Sequence, residues 1–421
     1  GQVLWYDNNG HGAYRSRPVD VHVPGASTVL TGDFDGDGAP DVLAASPTTN
    51  TLYLFRNQGD GIFTTSVVSD ALTGITGISA ADVDADGDPD ILTASSGSNQ
   101  IAWLENVGGM QFTPQTIFAS ATGAAGVATA DVDGDGDLDV ISASPGDDSI
   151  RWFENNGRQV FVSHVVSSTT VLARTAVAVD LDRDGDMDIL SGSAGISQLT
   201  WYRNDGSQNF TAVTLQNLSG EISSVVAADA DGDGDIDLFT ASPQDGQFVL
   251  FRNTGNENYS RVSVDDNSQG AFAVLATDID GDQDLDLLTV SATSDNVSWY
   301  RNLRDDFGDA PNPYPTVISD GGAMHSAVGP RLGAIRNLEQ DGFASNNADS
   351  DDDDDGITFG SLRVGQSDAE VTVSVEGGDA RLDGWIDFNG DGVWGGPGEQ
   401  IFDSVDVTTG DQVLGFQIPL R

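Results

Sequence analysis

The chain has 421 residues and carries 67 Asp and Glu against 17 Arg, with no Lys, so its formal charge at pH 7 is −50. Such an excess of negative charge opposes binding to nucleic acid, and the absence of Cys excludes a disulfide scaffold and any cysteine-ligated zinc or iron–sulfur site. No apolar run approaches the roughly 18 residues that a membrane-spanning helix needs.

The first predicted elements are two short strands, at residues 2–6 and 14–23, joined by a turn that contains Asn8 and Gly10. Trp5 in the first strand and Tyr14 in the second have counterparts further along the chain at a fixed interval of 49 residues. The two strands therefore match the second half of a repeating unit whose first half is absent here.

From Asp33 onward this 49-residue unit repeats without insertion. Its first marker is a segment of the form D-x-D-x-D-x-x-x-D, which begins at Asp33, Asp82, Asp131, Asp180, Asp229 and Asp278. Its second marker is a Trp or Leu followed three residues later by Asn, at Trp5, Leu54, Trp103, Trp152, Trp201, Leu250 and Trp299. Self-similarity at one fixed period is the signature of a repeat architecture.

Each unit contains four short predicted strands, as at residues 78–81, 90–94, 101–104 and 112–117. Short strands separated by turns rich in Gly, Asn and Asp indicate an all-β fold. Four strands in a unit of this length are typical of a β-propeller blade.

The segment Asp131-Val132-Asp133-Gly134-Asp135-Gly136-Asp137-Leu138-Asp139, followed by Trp152-Phe153-Glu154-Asn155 and Gly157-x-x-x-Phe161, resembles the FG-GAP/VCBS repeats of integrin-α-like propellers. The resemblance covers residues 1–302. It implies a calcium-binding β-propeller, usually of seven blades, with a Ca²⁺ ion in the loop between the first two strands of a blade.

The number of blades has two interpretations, because seven third strands accompany only six Asp loops. The N-terminal strands are the remnant of a seventh blade, or the strand at residues 14–23 completes the last blade and closes a six-bladed ring. We favour seven blades because the strand around Trp5 has no place in a ring of six.

The Asp loops have the composition of a calcium site. Calcium binds six to eight hard oxygens, and a tight loop with Asp at its first, third, fifth and ninth positions supplies carboxylates while the seventh position supplies a carbonyl. Without a cation, carboxylates about 4 Å apart would repel each other by roughly 4 kcal/mol at an effective dielectric constant of about 20. Metal binding would therefore contribute to folding.

We accordingly predict about six calcium ions in the propeller. The candidate ligands, with the carbonyl donor fourth in each group, are Asp33, Asp35, Asp37, Ala39 and Asp41; Asp82, Asp84, Asp86, Asp88 and Asp90; Asp131, Asp133, Asp135, Asp137 and Asp139; Asp180, Asp182, Asp184, Asp186 and Asp188; Asp229, Asp231, Asp233, Asp235 and Asp237; and Asp278, Asp280, Asp282, Asp284 and Asp286. Gln283 replaces a turn glycine in the sixth loop, which we expect to bind more weakly. The competing interpretation of each loop is a solvated Asp/Gly turn.

The two faces of such a ring differ in how much they vary between repeats. The Asp loops and Asn-x-Gly turns share one nearly invariant face. The opposite face carries the variable turns at residues 46–50, 95–99, 144–148, 193–197, 242–246 and 291–296 and inter-blade loops such as residues 167–174. We expect a partner to bind there. The repeated Trp could stack on sugars, but one Trp per blade at a fixed strand position favours packing between blades.

The period stops at Asp305, and residues 303–421 are predicted to form a separate β-rich, sandwich-like domain. Asp306-Phe307-Gly308-Asp309-Ala310-Pro311, the acidic run at residues 349–355 and Gly384-Trp385-Ile386-Asp387-Phe388-Asn389-Gly390-Asp391-Gly392 resemble a GEVED-type domain. Asp387, Asn389, Asp391, Val393 and Glu399 resemble an EF-hand loop, which predicts at least one further calcium ion against the alternative of an Asx turn. We expect the domain to continue beyond Arg421.

These features predict a secreted or cell-surface adhesion module without catalytic activity, which binds an extracellular protein or polysaccharide. The composition suits a prokaryotic and marine or halophilic source. The four His residues share no catalytic motif. Two alternatives stay open: an architectural unit of a surface layer or filament that binds copies of itself, and an enzyme similar to propeller-fold polysaccharide lyases.

Overall fold

The computed structural model describes residues 1–8, 14–59, 61–255, 258–279, 285–302, 305–307, 324–326, 331–332, 356–360, 362–388 and 398–419. Their regular structure is β-strand throughout, in strands β1 to β33. They divide into two compact units, one ending at Tyr300 and the other starting at Arg301. The all-β prediction is thereby confirmed. The described part of the chain contains no helix with the length and hydropathy needed to cross a bilayer.

Five consecutive four-stranded antiparallel sheets, which we call blades 1 to 5, form most of the first unit. Their strands are β3 (Thr28–Gly32), β4 (Asp41–Ser46), β5 (Thr51–Asn57) and β6 (Phe63–Ser69); β7 (Ile75–Ala81), β8 (Asp90–Ser95), β9 (Gln100–Asn106) and β10 (Phe112–Phe118); β11 (Gly126–Ala130), β12 (Asp139–Ser144), β13 (Ser149–Asn155) and β14 (Phe161–Ser167); β15 (Ala173–Val179), β16 (Asp188–Ser193), β17 (Gln198–Asn204) and β18 (Phe210–Asn217); and β19 (Ser224–Ala228), β20 (Asp237–Ser242), β21 (Gln247–Asn253) and β22 (Tyr259–Asp265).

Two smaller sheets complete the first unit. Sheet 6 has three strands, β23 (Ala271–Thr277), β24 (Asp286–Ser291) and β25 (Asn296–Tyr300). The N-terminal hairpin pairs β1 (Val3–Asn8) with β2 (Tyr14–Asp20).

Burial rises and falls across each blade in the same way. Every residue of the second strands β8, β12, β16 and β20 is buried, and most residues of the third strands are buried too. The fourth strands β10, β14 and β22 contain only exposed and half-buried residues. A strand covered on both faces reads as a continuous run of apolar and small residues, which explains sequences such as that of Asp90–Ser95.

The hydrophobic cores lie between successive sheets. Trp103 of blade 2, for example, packs with Val140 and Phe153 of blade 3. Equivalent clusters join blades 1 and 2, blades 3 and 4, blades 4 and 5, and blade 5 with sheet 6. Sheets that stack face to face in series, with the first strands of neighbours in contact, form a propeller, as predicted.

The first strands approach each other closely at some points. Thr76 Oγ1 donates to the carbonyl of Ala124 in the next blade at 2.6 Å, and a Cβ placed on Gly77 would lie 2.6 Å from the carbonyl oxygen of Ala125. Glycine at position 77 is therefore a steric requirement of this packing.

The N-terminal hairpin lies between sheet 6 and blade 1. In the blades, a third-strand Trp contacts the first aromatic residue of the next fourth strand, as Trp103 contacts Phe161 with ring centroids 6.1 Å apart. Trp5 contacts Phe63 of blade 1 in this way at 6.3 Å, and Trp299 of sheet 6 contacts Tyr14 of the hairpin at 6.0 Å. The hairpin thus has a place of its own in the ring, which favours seven positions over six.

The second unit is described by itself. Its short pair is β26 (Asp305–Phe307) with β27 (Met324–Ser326), and β30 (Ala369–Glu376) pairs with β28 (Arg331–Leu332), β29 (Ile357–Phe359) and β33 (Gly410–Phe416). A further pair joins β31 (Ala380–Trp385) to β32 (Gln400–Val407). Alternate residues of β30 are buried with Phe402 and Phe416, which makes this unit β-rich as predicted. Its relation to GEVED-type domains stays a prediction.

Candidate functional site

Each Asp loop joins the first and second strands of a sheet, so all five fully described loops lie at the same end of their blades. In each loop, three carboxylates offer one oxygen atom apiece within 4.8 Å of one another. The trios are Asp33, Asp35 and Asp37; Asp82, Asp84 and Asp86; Asp131, Asp133 and Asp139; Asp180, Asp182 and Asp188; and Asp229, Asp231 and Asp237. The chain therefore brings together aspartates that the repeat predicted to converge.

Short-range hydrogen bonds hold each loop in a tight coil. In loop 3 the backbone N–H of Gly136 donates to Asp131 Oδ2 at 3.0 Å, and that of Asp137 donates to Asp135 Oδ1 at 2.9 Å. Gly136 has a φ of 97°, a conformation that favours glycine. Asp131 and Asp135, at the first and fifth positions of the loop, thus organise its backbone, while their remaining oxygen lone pairs stay available.

The aspartate at the ninth position of the loop is fully buried and accepts hydrogen bonds from two parts of its blade. Asp139 Oδ2 accepts the N–H of Val132 at 3.0 Å, and Asp139 Oδ1 accepts the N–H of Asn155 at 2.7 Å. The same two bonds recur around Asp41, Asp90, Asp188 and Asp237. Each oxygen keeps a second lone pair, so the predicted role as a metal ligand is compatible with this clamp.

Burial raises the pKa of the aspartate at the ninth loop position to about 6 in four loops, although the hydrogen bonds from two backbone N–H groups lower this pKa. The residues are Asp90, Asp139, Asp188 and Asp237. The indole N–H groups of Trp103, Trp152 and Trp201 also favour the ionised form of the first three, without forming well-aligned hydrogen bonds. A cation beside these carboxylates would reverse the effect of burial.

Several loop oxygens lack a hydrogen-bond donor. Asp84 Oδ1, Asp180 Oδ1 and Asp182 Oδ1 are buried without a partner. Burial, followed by the charge of the neighbouring Asp86, raises the pKa of Asp84. An unpaired buried carboxylate oxygen is unfavourable, and a hard divalent cation is the ligand that such oxygens prefer. The residues of these loops therefore fit calcium. The carbonyl ligands predicted at residues 39, 88, 137, 186 and 235 stay predictions.

Two other predicted sites are only partly described. In the sixth loop Asp286 accepts the N–H of Ile279 at 3.1 Å, whereas Asp280, Asp282 and Asp284 lie outside the described residues, as does Gln283. In the second unit, the N–H of Ile386 donates to the carbonyl of Glu399 at 2.9 Å. This bond joins the two ends of the EF-hand-like segment, whose Asn389, Asp391 and Val393 lie outside the described residues. The separate acidic run at residues 349–355 also lies outside them.

The repeated Asn has a role that the sequence interpretation missed. Asn155 Nδ2 donates to the carbonyl of Val83 in the loop of the preceding blade at 3.1 Å. Asn106 and Asn204 make the equivalent bonds to Phe34 and Val132 at 3.1 and 3.4 Å. Each bond links the Asp loop of one blade to the third strand of the next. The recurrence of Asn every 49 residues marked these positions in the sequence. The sequence pattern did not indicate the carbonyl group in the preceding blade to which each Asn donates.

The repeated Trp residues are packing residues in the complete blades. Trp103, Trp152 and Trp201 are at most 3% exposed, which leaves no face for a sugar ring. His164 stacks on Trp152 with centroids 4.5 Å apart, and its Nε2 lies 2.8 Å from Glu154.

The face opposite the Asp loops also contains structural bonds. Asn50 Oδ1, Asn99 Oδ1 and Asp148 Oδ1, each at the end of a second turn, accept N–H groups from the next inter-blade loop at 2.8–3.0 Å. These side chains hold neighbouring blades together.

Blade 4 differs from the others on this face. Val171, Leu172 and Ile196 are exposed, and backbone bonds from Gly195 and Ala194 to Val171 and Leu172 hold them side by side. We call these three residues the apolar tip. Their counterparts 49 or 98 residues away are Gly, Thr, Gln, Glu, Ser or Asp.

Leu172 has a φ of 54°, in the left-handed region that leucine avoids. The equivalent residues Gly25, Gly74, Gly123 and Gly270 have φ between 63° and 75°. Blade 4 therefore keeps a strained leucine where most repeats have glycine. Strained residues of this kind concentrate at functional sites.

Comparison with known proteins gives one family. The profile described as an FG-GAP-like repeat matches residues 33–93, 82–142, 131–191, 180–240 and 229–289. No curated protein matches the sequence.

Several solved structures are similar. An Agrocybe aegerita lectin, described for specific recognition of non-reducing terminal N-acetylglucosamine, is 18% identical, with a TM-score of 0.47 over 67% of this chain and 81% of the lectin chain. A chain of the BBS1N–ARL6DN complex is 16% identical, with a TM-score of 0.49 over 72% of this chain and 92% of its own. A chain of a nidogen/laminin complex is 14% identical, with a TM-score of 0.40 over 60% of this chain and 90% of its own.

Proposed function

This chain belongs to the FG-GAP-like repeat family, and on that premise we propose that it is a calcium-stabilised binding and adhesion module without catalytic activity, located outside the cell or on its surface. The Asp loops would hold the ions and the opposite face would bind an extracellular protein or polysaccharide. Bound calcium would supply positive charge to the clustered carboxylates and so rigidify the ring.

The observation that carries the binding proposal is the difference between the two faces. Asp loops repeat in register in every complete blade, as structural parts do. On the opposite face, the apolar tip of blade 4 departs from the repeat in all three of its residues and includes a leucine in a strained conformation. Exposed apolar side chains on a polar surface are a common basis of recognition.

The proposed absence of catalysis rests on the use that the structure makes of the candidate groups. His164, for example, is paired with Glu154 and stacked on Trp152 within blade 3. Catalysis needs a nucleophile, a base and a charge-stabilising group that converge on one substrate, and in the loops the aspartates bond backbone N–H groups instead.

The test is a binding screen against extracellular matrix proteins and polysaccharides, with the full chain in calcium. We expect retention of one class of ligand, and a loss of at least tenfold in affinity when V171T, L172G and I196S are combined. These substitutions introduce residues of the kinds found at the same positions in other blades, and L172G relieves the strained φ, so the variant should fold normally.

The control is V165T, which replaces a methyl group of an exposed valine in the fourth strand of blade 3 by a hydroxyl group and should leave binding unchanged. Equal affinities for the wild type and the triple variant would contradict the assignment of this face. Release of unsaturated uronate products from an acidic polysaccharide would instead identify a lyase. Calcium-dependent polymers in light scattering would identify an architectural unit.

A further inference from the structure

The residue two positions after the repeated Trp or Leu faces the Asp loop of its own blade. It is Arg56, Arg203 and Arg252 in blades 1, 4 and 5, but Glu105 and Glu154 in blades 2 and 3. We call the loops of blades 1, 4 and 5 the arginine loops and those of blades 2 and 3 the glutamate loops. The aspartates at the first, third, fifth and ninth positions are present in all five loops, so this is a charge difference placed beside loops with the same predicted carboxylate ligands.

In the arginine loops, the guanidinium binds the aspartate at the third position of the loop. Arg203 Nε lies 2.6 Å from Asp182 Oδ2, and Arg252 Nε lies 3.3 Å from Asp231 Oδ2. Arg56 Nε contacts Asp35 in the same way. The aspartate at this third position is a predicted metal ligand. A cation that enters these loops must therefore share that carboxylate with a fixed positive charge.

In the glutamate loops, the same position adds a carboxylate. Glu105 Oε2 accepts a bond from Gln115 Nε2 at 2.6 Å, and Glu154 Oε2 lies 2.8 Å from His164 Nε2, so neighbouring side chains hold both glutamates in place. Each glutamate directly precedes the Asn whose N–H donates to the aspartate at the ninth loop position, at the end of the third strand, as Arg203 and Arg252 do in their blades. The charge at this position therefore reaches the loop in both cases.

We propose that the propeller has two classes of calcium site, with the glutamate loops of blades 2 and 3 binding calcium more tightly than the arginine loops of blades 1, 4 and 5. This inference rests on the proposed calcium binding. A divalent ion is repelled by a guanidinium a few ångströms away and attracted by a carboxylate at the same place, and this difference is weakly screened when both charges are partly buried. As free calcium rises, blades 2 and 3 would fill first.

The experiment is equilibrium dialysis of the full chain with radioactive calcium, which counts bound ions at each free concentration. R203E places a carboxylate beside Asp182, and we expect it to add one site to the tight class, with roughly tenfold or greater tightening. E105R should remove one site from that class. The sixth loop and the second unit contribute equally in all variants, so they cancel in the comparison.

R174E is the matched control for R203E. Both arginines lie in blade 4, both side chains are 46% exposed, and both are paired with an acid. Arg174, however, lies near the start of β15, whereas the Asp loop follows the end of this strand, and Arg174 pairs with Glu221. R174E makes the same change in net charge and should leave the number of tight sites unchanged.

The outcomes separate this inference from the proposed function. If the wild type binds calcium in a single class, or if R203E and R174E behave alike, the inference is overturned while calcium binding stands. If the wild type binds no calcium, both are overturned. R203Q, which removes the guanidinium without adding a charge, should shift the loop-4 site in the same direction by a smaller factor, and it carries the test if R203E does not fold.

Discussion

The ninth aspartate of each loop joins two elements that are distant in sequence. In blade 3 its two oxygens accept N–H groups from the start of the loop and from the end of β13, and the residue is fully buried. A carboxylate is suited to this position because it accepts two bonds in fixed directions and retains charge for a cation. Stability and metal binding therefore depend on the same side chain.

Asp139→Asn tests this double role. The amide keeps the size of the carboxylate but presents an NH₂ group to one of two backbone donors, so we expect the free energy of unfolding in calcium to fall by about 1–3 kcal/mol and one calcium ion to be lost. Urea unfolding and calcium uptake measure the two effects. Asp137→Asn is the control, because that residue is predicted to bind metal only through its carbonyl. Its change should stay within about 0.5 kcal/mol.

The raised pKa values of Asp90, Asp139, Asp188 and Asp237 predict that the pH dependence of stability differs with and without calcium. Without metal, the folded state holds protons up to pH about 6, whereas unfolded aspartates release them near pH 3.8. Stability of the metal-free protein should therefore fall as the pH rises between these values. Calcium must displace the same protons, so the gain in Tm on adding calcium should be small near pH 5 and large above pH 6. Melting curves with and without calcium measure this gain, and a gain that is independent of pH would contradict the assignment.

At the scale of strands and loops, the repeated Asn transmits order from one blade to the next. Asn155 at the end of β13 donates both to Leu138 in its own blade and to Val83 in the Asp loop before it, each at 3.1 Å. A rigid loop in one blade therefore positions the third strand of its neighbour. Calcium binding in successive loops is expected to be coupled by this contact.

Asn155→Ala removes both bonds and leaves two buried carbonyls with fewer donors. We expect a loss of about 1–3 kcal/mol in the free energy of unfolding and weaker calcium binding in blade 2, whose own sequence is unchanged. The adjacent Asn156→Ala is the control, since Asn156 is exposed and its side chain accepts only a local N–H from Arg158. Equal effects of the two substitutions would show that the inter-blade bond is unimportant.

At the scale of the whole molecule, the ring depends on the N-terminal hairpin. Tyr14 of the hairpin contacts Trp299 of sheet 6 as a fourth-strand aromatic contacts the preceding Trp elsewhere, and Val3 and Val23 pack with Ala44 and Phe55 of blade 1. Because this contact joins the start of the repeat region to its end, its loss opens the ring without altering any complete blade.

Tyr14→Ala should loosen the hairpin while the blades stay folded. An aromatic pair contributes about 0.5–1.5 kcal/mol, so hydrogen exchange in β1 and β2 should accelerate by roughly threefold to tenfold, with blades 2 to 4 unchanged. Tyr6→Ala is the control, because Tyr6 lies in the same hairpin and is 48% exposed. Accelerated exchange throughout the ring would mean that the hairpin contact supports every blade.

Calcium removal is expected to affect the first unit as a whole. Five loops with converging carboxylates would each regain their mutual repulsion, so chelation should lower the Tm by roughly 8 °C or more if each loop loses about 1 kcal/mol or more. Magnesium, which demands a smaller octahedral site, should restore less stability than calcium. An unchanged Tm after complete chelation would refute the calcium role.

The sequence by itself determined the repeat, the four strands of each blade, the all-β class and the aspartates that converge in each loop, because all of these follow from local periodicity within 49 residues. It did not reveal that Asn155 bonds Val83, that Leu172 is strained beside Ile196, or that Trp299 meets Tyr14. Those contacts join residues of different blades or opposite ends of the ring, and their partners are set by the stacking of sheets rather than by spacing along the chain. Only the tertiary structure brings an arginine or a glutamate beside a particular loop, since the charge of a site depends on what the third strand places next to it.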